Sequence, residues 1–201
     1  MKKKFFILIG YLFFIFFITT AGNTYSNDPK QFINEIVDEV KKILNAKDNT
    51  LEIKTKKLSE IALNTVDVKG LGYYTLGSYR KKLDSKELDK YLILFEKYFL
   101  KSFTSRLTDY SDPKIKVLLA EVLNEKYTIV KTLLLATSQK PEVKIDWRIY
   151  TKNPDKPLIR DLIVEGLSLA RTQKEEFASV IESNGGDVSK LFLKLEEFIA
   201  Q

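Results

Sequence analysis

The apolar residues of this chain change their spacing at Asp112-Pro113, and that change limits the folds open to the chain. Upstream, apolar side chains recur every three to four positions, which is typical of amphipathic helices. Downstream, they alternate with polar side chains along four stretches, which is typical of strands. Helical spacing returns after about residue 172. This order predicts one α+β domain: N-terminal helices, a four-stranded curled antiparallel sheet and C-terminal helices.

Capping residues mark where the helices begin. Asp28-Pro29 places an acidic cap before a proline at the first helical position, an arrangement that favours a helix start. The segment 66–83 contains three glycines and predicts short helices joined by turns. The other caps that we expect are Asn49 or Thr50, Asp84 or Ser85, Thr172 and Asp187.

Short turn signals separate the four predicted strands, which indicates an antiparallel meander. The strands cover residues 114–123, 126–137, 142–151 and 157–166. In the third strand, alternation predicts that Ile145, Trp147 and Ile149 share one face. A single bulge would reverse such an assignment.

The N-terminal residues have the order of a secretory signal. Three lysines at positions 2–4 precede an apolar run from Phe5 to Ile18, and small and polar residues follow. The run is shorter than the roughly 20 residues that span a bilayer. We expect cleavage near Ala21 or Ser26, so that residues 27–201 form a single exported domain; an uncleaved membrane anchor is the alternative.

Composition excludes several classes of chemistry. The chain has no cysteine and no histidine, which excludes thiol nucleophiles, Ser-His-Asp triads, Cys/His zinc sites and disulfides. We expect no metal and no cofactor. The net charge of +6 falls further once the signal lysines are removed, which disfavours binding to nucleic acid.

Two groups near the fourth strand are of a kind that takes part in catalysis. Ser168 follows Gly166 as in a nucleophile elbow, but Ala170 replaces the second glycine and no histidine can serve as base. We therefore interpret Ser168 as a residue that hydrogen-bonds the backbone where the strand meets the next helix. Asp161 and Glu165 alternate on the same strand and are interpreted as salt-bridge partners of Arg148, Arg160 and Arg171.

Aromatic residues are concentrated in one stretch of fewer than 30 positions. They are Tyr73, Tyr74, Tyr79, Tyr91, Phe95, Tyr98 and Phe99. Large aromatics between loosely connected helices and a sheet either form a core or enclose an apolar cavity, and composition alone leaves both open.

The C-terminal half also resembles a known family. The segments "VKIDWRIY", "VEGLSL" and "TQKEEFASVI", then Gly185-Gly186 and a closing leucine-rich helix, are similar to the MlaC (toluene-tolerance, Ttg) family of periplasmic phospholipid-binding proteins. Upstream, "VDVKGLGYYTLGSYRKKL" and "YLILFEKYFLKSF" resemble its helical part. The likeness covers roughly residues 30–200. Lys174 stands where the family motif leads us to expect arginine, so bidentate pairing is lost there.

This resemblance implies a carrier and not an enzyme. Similar proteins hold the acyl chains of a phospholipid inside the domain, with the headgroup in water. Their partners are an outer-membrane lipoprotein complex and the MCE-domain subunit of an inner-membrane ABC transporter. The expectation is a monomeric periplasmic protein that maintains outer-membrane lipid asymmetry. The alternative is a binding module or chaperone for other cargo, such as a hopanoid, lipoprotein acyl chains or a peptide.

Apolar phase and the family pattern together suggest which residues line the pocket. The candidates are Leu71, Tyr74, Leu76, Tyr91, Phe95, Phe99, Leu133, Ile145, Trp147 and Leu162. Gly70, Gly72 and Gly77 are candidates for points at which the pocket changes shape during lipid release.

Overall fold

The computed structural model describes residues 25–109, 112–138 and 140–201. The predicted signal segment therefore lies outside the described residues, apart from Tyr25 and Ser26. Within the described residues, none of the helices combines the length and the apolar character needed to cross a bilayer.

The helices fall into an N-terminal and a C-terminal group. They are α1 (Pro29–Asn45), α2 (Leu51–Thr65), α3 (Val68–Leu76), α4 (Ser85–Thr108), α5 (Leu169–Glu182) and α6 (Ser189–Ala200), with a 3-10 turn over Gly77–Lys81. Asp28, Thr50 and Asp84 cap α1, α2 and α4 through their side chains, as the sequence predicts. The prediction that Thr172 is a cap is wrong, because α5 already begins at Leu169 and Ser168 caps it.

The strands form one antiparallel sheet in chain order, which confirms the meander. They are β1 (Ile115–Asn124), β2 (Tyr127–Leu134), β3 (Val143–Tyr150), β4 (Leu158–Val164) and a two-residue β5 (Leu167–Ser168). The fifth strand is an addition to the four predicted. It arises because Glu165 and Gly166 both adopt positive φ, which is the backbone of a two-residue hairpin turn.

One face of the sheet packs on α1 and α2 and forms the first apolar core. Val130, Ile149 and Ile159 of the sheet are buried against residues of the two helices. The helical members are Phe32, Ile33, Ile36, Val37, Val40, Ile43, Leu44, Leu58 and Ile61. The regular spacing of the α1 residues explains why this helix lies flat on the sheet.

The second apolar core lies among α3, α4, α5 and α6. Its buried members are Val68, Leu76, Tyr91, Leu94, Phe95, Phe177, Ile181, Val188, Leu191, Phe192 and Leu195. Most of the aromatic stretch therefore stabilises packing between helices. Gly72 contributes because its missing side chain lets α3 approach α4: an added Cβ would lie 3.0 Å from Leu92 and 3.1 Å from Phe95.

The segment Val66-Asp67 joins the two cores. Val66 packs against both of them. The backbone N–H of Asp67 donates a hydrogen bond to the carbonyl of Ile159 on β4, at 3.0 Å. Because α3 starts immediately afterwards, this contact fixes α3 beside the second face of the sheet. The space between that face, α3 and the start of α5 is a groove.

Candidate binding groove

The groove has a volume of about 490 Å³, which is within the usual range of about 300–1,000 Å³ for small-molecule sites. Every large element except α1, α2, α4 and α6 contributes to its lining. The lining residues are Gly70, Leu71, Tyr73, Tyr74, Arg80, Leu123, Tyr127, Arg148, Arg160, Asp161 and Ala170. Helix α3 supplies most of the aromatic and aliphatic wall, and the sheet and the 3-10 turn supply the charged residues.

A β-bulge places two consecutive residues of β4 in the groove. Arg148 pairs with Asp161 across the strands, but the next pair is Ile149 with Ile159, so Arg160 is the extra residue. In a regular strand, Arg160 and Asp161 would point to opposite faces. Because of the bulge, both line the groove.

Asp161 is the buried carboxylate of the groove and has three partners. One oxygen, Oδ2, accepts hydrogen bonds from the Ser168 hydroxyl at 2.6 Å and from Nη1 of Arg148 at 3.3 Å. The other oxygen, Oδ1, accepts from the backbone N–H of Ala170 at 3.0 Å. Asp161 therefore fixes the first turn of α5 to β4.

Arg160 is held by groups on three elements. Its Nε donates a hydrogen bond to Oδ2 of Asp67 at 2.7 Å, its Nη2 forms an ion pair with the same oxygen at 2.7 Å, and its Nη1 donates to the hydroxyl of Tyr127 at 3.2 Å. The guanidinium carbon also lies 3.9 Å from the centre of the Tyr150 ring. Burial lowers the pKa of Arg160, but the hydrogen bond to Tyr127 and the charge of Asp67 outweigh it, and the pKa is raised.

The apolar wall of the groove comes mainly from α3. Leu71, Tyr73 and Tyr74 lie on this helix, and Leu123 faces them from β1. The ammonium of Lys174 is 5.3 Å from the centre of the Tyr74 ring, so this lysine makes a cation–π contact at the groove.

The ten predicted lining residues fall in different parts of the molecule. Leu71 and Tyr74 line the groove. Leu76, Tyr91 and Phe95 are buried in the second core, and Phe99 packs against it. Trp147 and Leu162 pack against the first core, and strand alternation places Ile145 on that same face. Leu133 shares a face of β2 with Tyr127 but lies outside the lining. Lipid contact by the ten residues stays a prediction.

Sequence reasoning missed the charged half of the groove. Arg80, Arg148 and Arg160 were not predicted to line the pocket, because apolar phase and the family pattern point only to apolar residues; Arg148 and Arg160 were predicted as salt-bridge partners. Tyr127 and Leu123 were also missed. Leu123 lies at a register shift near the end of β1, where alternation gives no guide to which face a residue occupies.

The catalytic candidates have structural roles. Ser168 accepts a hydrogen bond from the N–H of Arg171 at 3.1 Å, so its hydroxyl caps α5, as its interpretation as a junction residue requires. Glu165 sits in the hairpin turn and accepts from the N–H of Lys144, away from Asp161. Of the predicted arginine partners, Arg148 pairs with Asp161 and Arg160 pairs with Asp67 instead. Across residues 25–109, 112–138 and 140–201, no cluster of acidic side chains is suited to a metal ion.

Comparison with known proteins agrees with this architecture. A solved structure of a phospholipid-binding protein from Ralstonia solanacearum, in complex with a phospholipid, superposes with a TM-score of 0.69. The two sequences are 19% identical, and the match covers 84% of this chain and 95% of the other, which shows a shared fold. The family described as "MlaC protein" matches residues 34–197, which is most of the chain. The chain therefore belongs to the MlaC family, which places it among proteins of lipid binding and transport.

Proposed function

We propose that this chain is a periplasmic carrier that holds the acyl part of a phospholipid in the groove between α3, α5 and the sheet. The observation that carries the proposal is the groove itself, in a chain of the MlaC family. Its apolar wall offers Leu71, Tyr73, Tyr74 and Leu123 to acyl chains. The Ralstonia protein of the same fold was solved with a phospholipid bound.

The energetics of such a ligand favour a carrier. Each buried methylene contributes roughly 0.8 kcal/mol, so long acyl chains supply more binding free energy than a few polar contacts do. Lipid held in this way does not escape into water at a useful rate. Release then depends on a change in groove shape at a membrane-bound partner. The proposed partners are the MCE-domain subunit of an inner-membrane ABC transporter and an outer-membrane lipoprotein complex, and the carrier acts as a monomer.

Release of the exported carrier from the membrane requires removal of the signal segment, and contacts of Tyr25 and Ser26 favour one of the two predicted cleavage positions. The hydroxyl of Tyr25 donates to Glu39 at 2.5 Å, and its ring packs edge-on against Phe32 at 5.8 Å. The N–H of Ser26 donates to Glu35 at 2.7 Å. Cleavage after Ser26 would remove both contacts with α1, so we propose cleavage after Ala21. The intact mass of the protein recovered from the periplasm distinguishes the two.

The proposed role requires no chemistry. Ser168 is engaged as a helix cap and as a donor to Asp161, and the chain has no histidine to activate it. Asp161 has partners on both oxygens. The side chains in the groove are arranged for binding and not for bond cleavage.

The test begins with the mature protein purified from bacteria under mild conditions. Solvent extraction followed by mass spectrometry is expected to recover phospholipid in near-equal molar amount. Loaded protein should then deliver labelled phospholipid to acceptor vesicles. Recovery of a hopanoid, a lipoprotein or a peptide in place of phospholipid would assign the groove to that cargo. Protein that carries nothing, and that takes up no lipid from vesicles, would contradict the proposal.

A further inference from the structure

The groove has an excess of positive charge that its own residues do not neutralise. Three arginines and one aspartate line it, namely Arg80, Arg148, Arg160 and Asp161. Asp67 lies just behind and pairs with Arg160. Two carboxylates therefore stand against three guanidinium groups, so one guanidinium charge is left over, in addition to the ammonium of Lys174 at the Tyr74 ring.

The three arginines differ in how fully they are bonded. Arg160 has Asp67, Tyr127 and the ring of Tyr150 as partners, so it has little capacity for a ligand. Its role is to hold the sheet to the start of α3.

Arg148 uses only one of its guanidinium nitrogens, Nη1, in a hydrogen bond to a described side chain. Its Nη1 makes a long contact of 3.3 Å with Asp161, whose oxygens are shared with Ser168 and Ala170. Its Nε is buried and has no acceptor among the residues that the structure describes. A buried N–H without an acceptor is costly, so a ligand oxygen at this position would be favoured.

Arg80 lies on the exposed 3-10 turn at the groove and makes no ion pair or hydrogen bond with any described residue. Its guanidinium group has five donors in a planar fork, which matches the oxygens of a phosphate group. It therefore supplies the unneutralised charge.

We propose that Arg80 and Arg148 form a phosphate site in the groove, which takes the phosphate ester of a lipid headgroup while the acyl chains lie along α3. This inference rests on the proposed carrier function and adds the requirement that the lipid headgroup carries an anionic phosphate. It predicts that the protein selects a phospholipid over a neutral lipid with the same acyl chains.

The experiment uses the mature protein after lipid extraction. It is incubated with vesicles that contain either phosphatidylglycerol or diacylglycerol with identical acyl chains, and retained lipid is counted by native mass spectrometry. Four variants are compared with the wild type: Arg80→Gln, Arg80→Lys, Arg148→Lys and Lys81→Gln. Lys81 neighbours Arg80 and is exposed but does not line the groove, so Lys81→Gln is the matched control for loss of one charge.

Wild-type protein is expected to retain phosphatidylglycerol in preference to diacylglycerol. Arg80→Gln should weaken retention of phosphatidylglycerol about tenfold and leave that of diacylglycerol unchanged, because a charged hydrogen-bond pair is lost. Retention of phosphatidylglycerol by Arg80→Lys should lie between that of the wild type and that of Arg80→Gln, because lysine keeps the charge but lacks the planar fork of donors. Arg148→Lys keeps a cation opposite Asp161 but removes the Nε donor, and it should also lower only phosphatidylglycerol retention. Lys81→Gln should match the wild type for both lipids.

Several outcomes would overturn the inference. Equal retention of both lipids by the wild type, or an Arg80→Gln result equal to that of Lys81→Gln, would contradict the phosphate site but not the carrier. Retention of neither lipid would contradict the carrier itself. A further arm adds inorganic phosphate: displacement of phosphatidylglycerol at equal concentration would mean that the site binds the free anion, and the assignment to a lipid headgroup would be wrong.

Discussion

Ser168 and Asp161 are joined by a hydrogen bond of 2.6 Å, and this bond links the end of the sheet to the start of α5. Asp161 is almost fully buried, and its second oxygen accepts from the N–H of Ala170. One carboxylate therefore satisfies donors from the first turn of the helix and also faces Arg148. The junction that resembles a nucleophile elbow in sequence is a structural clamp.

Replacing Asp161 by asparagine should destabilise the protein by about 2–3 kcal/mol, because it leaves the Arg148 guanidinium without its anionic partner. The expected loss of stability is smaller than for a fully buried ion pair, because the Arg148 side chain is 38% exposed and water can solvate it. Urea denaturation followed by circular dichroism measures the change. Asp155→Asn, in an exposed turn, is the control and should be close to neutral. Equal stabilities for the two variants would show that the clamp contributes little.

Replacing Gly70 by alanine should destabilise the start of α3, although alanine is the better helix former by about 1 kcal/mol. An added Cβ would clash with the carboxylate of Asp67, with the Cγ atom only 2.6 Å away. Asp67 would have to move, which breaks its hydrogen bond with the Gly70 N–H and its pair with Arg160. We expect a loss of about 1–3 kcal/mol.

A double-mutant cycle tests the cause of that loss. In an Asp67→Ala background the clash is absent, so Gly70→Ala should become neutral or stabilising. If the same loss persists in that background, Asp67 is not its source. The result also separates a packing role for Gly70 from a role as a point of flexibility.

Replacing Tyr91 by phenylalanine should make the unfolding free energy less dependent on pH in the alkaline range. Tyr91 is fully buried, its hydroxyl lies 2.9 Å from that of Thr75, and burial raises its pKa well above the ordinary value of 10.0. The unfolded chain therefore loses this proton first, and the stabilisation that is complete below about pH 10 is lost as pH rises further.

The measurement is the unfolding free energy between pH 9 and about pH 11. Wild type should lose up to about 1.4 kcal/mol per pH unit more than Tyr91→Phe over the upper part of this range. At neutral pH the variant should lose about 1 kcal/mol with the hydrogen bond. Tyr74→Phe changes a phenol that is 44% exposed and serves as the control. Identical slopes for wild type and Tyr91→Phe would contradict the prediction.

The single tryptophan reports which face of the sheet meets the lipid. Trp147 packs against the first core, and its Nε1 donates to Thr132 at 3.0 Å, whereas its neighbour Arg148 lines the groove. Lipid in the groove should therefore leave the emission maximum of Trp147 unchanged. In a Trp147→Phe background, Tyr74→Trp places the reporter at the groove, and its emission should shift to shorter wavelength on loading. The reverse pattern would show that acyl chains enter between the sheet and α1.

The sequence predicted most helices and strands correctly, because the start of a helix and the alternation of a strand depend on residues that are close together along the chain. Asp28, Thr50 and Asp84 cap their helices through side-chain contacts three residues away, which is a purely local geometry. The prediction of Thr172 as a cap failed because the chain reverses in the two-residue turn of Glu165 and Gly166. Helix α5 therefore begins at Leu169, and Ser168 caps it.

The groove was harder to predict because it depends on contacts between distant segments. The bulge at Arg160 has no signal in the sequence, yet it decides that Arg160 and Asp161 share a face. The composition of the aromatic stretch left a core and a cavity both open; in the structure, Tyr91 and Phe95 contact Phe192 and Phe177 of the C-terminal helices and form a core with them. Which surfaces α5 and α6 cover is a property of the tertiary fold.

Two aspartates each join a helix to β4 beside the groove. Asp67 connects α3 through Arg160 and the carbonyl of Ile159, and Asp161 connects α5 through Ala170. The width of the groove is thus set by polar contacts outside its apolar wall. Leu123 is exposed at the groove and outside both cores, so its side chain can change size, and with it the space left for acyl chains, without disturbing those polar contacts.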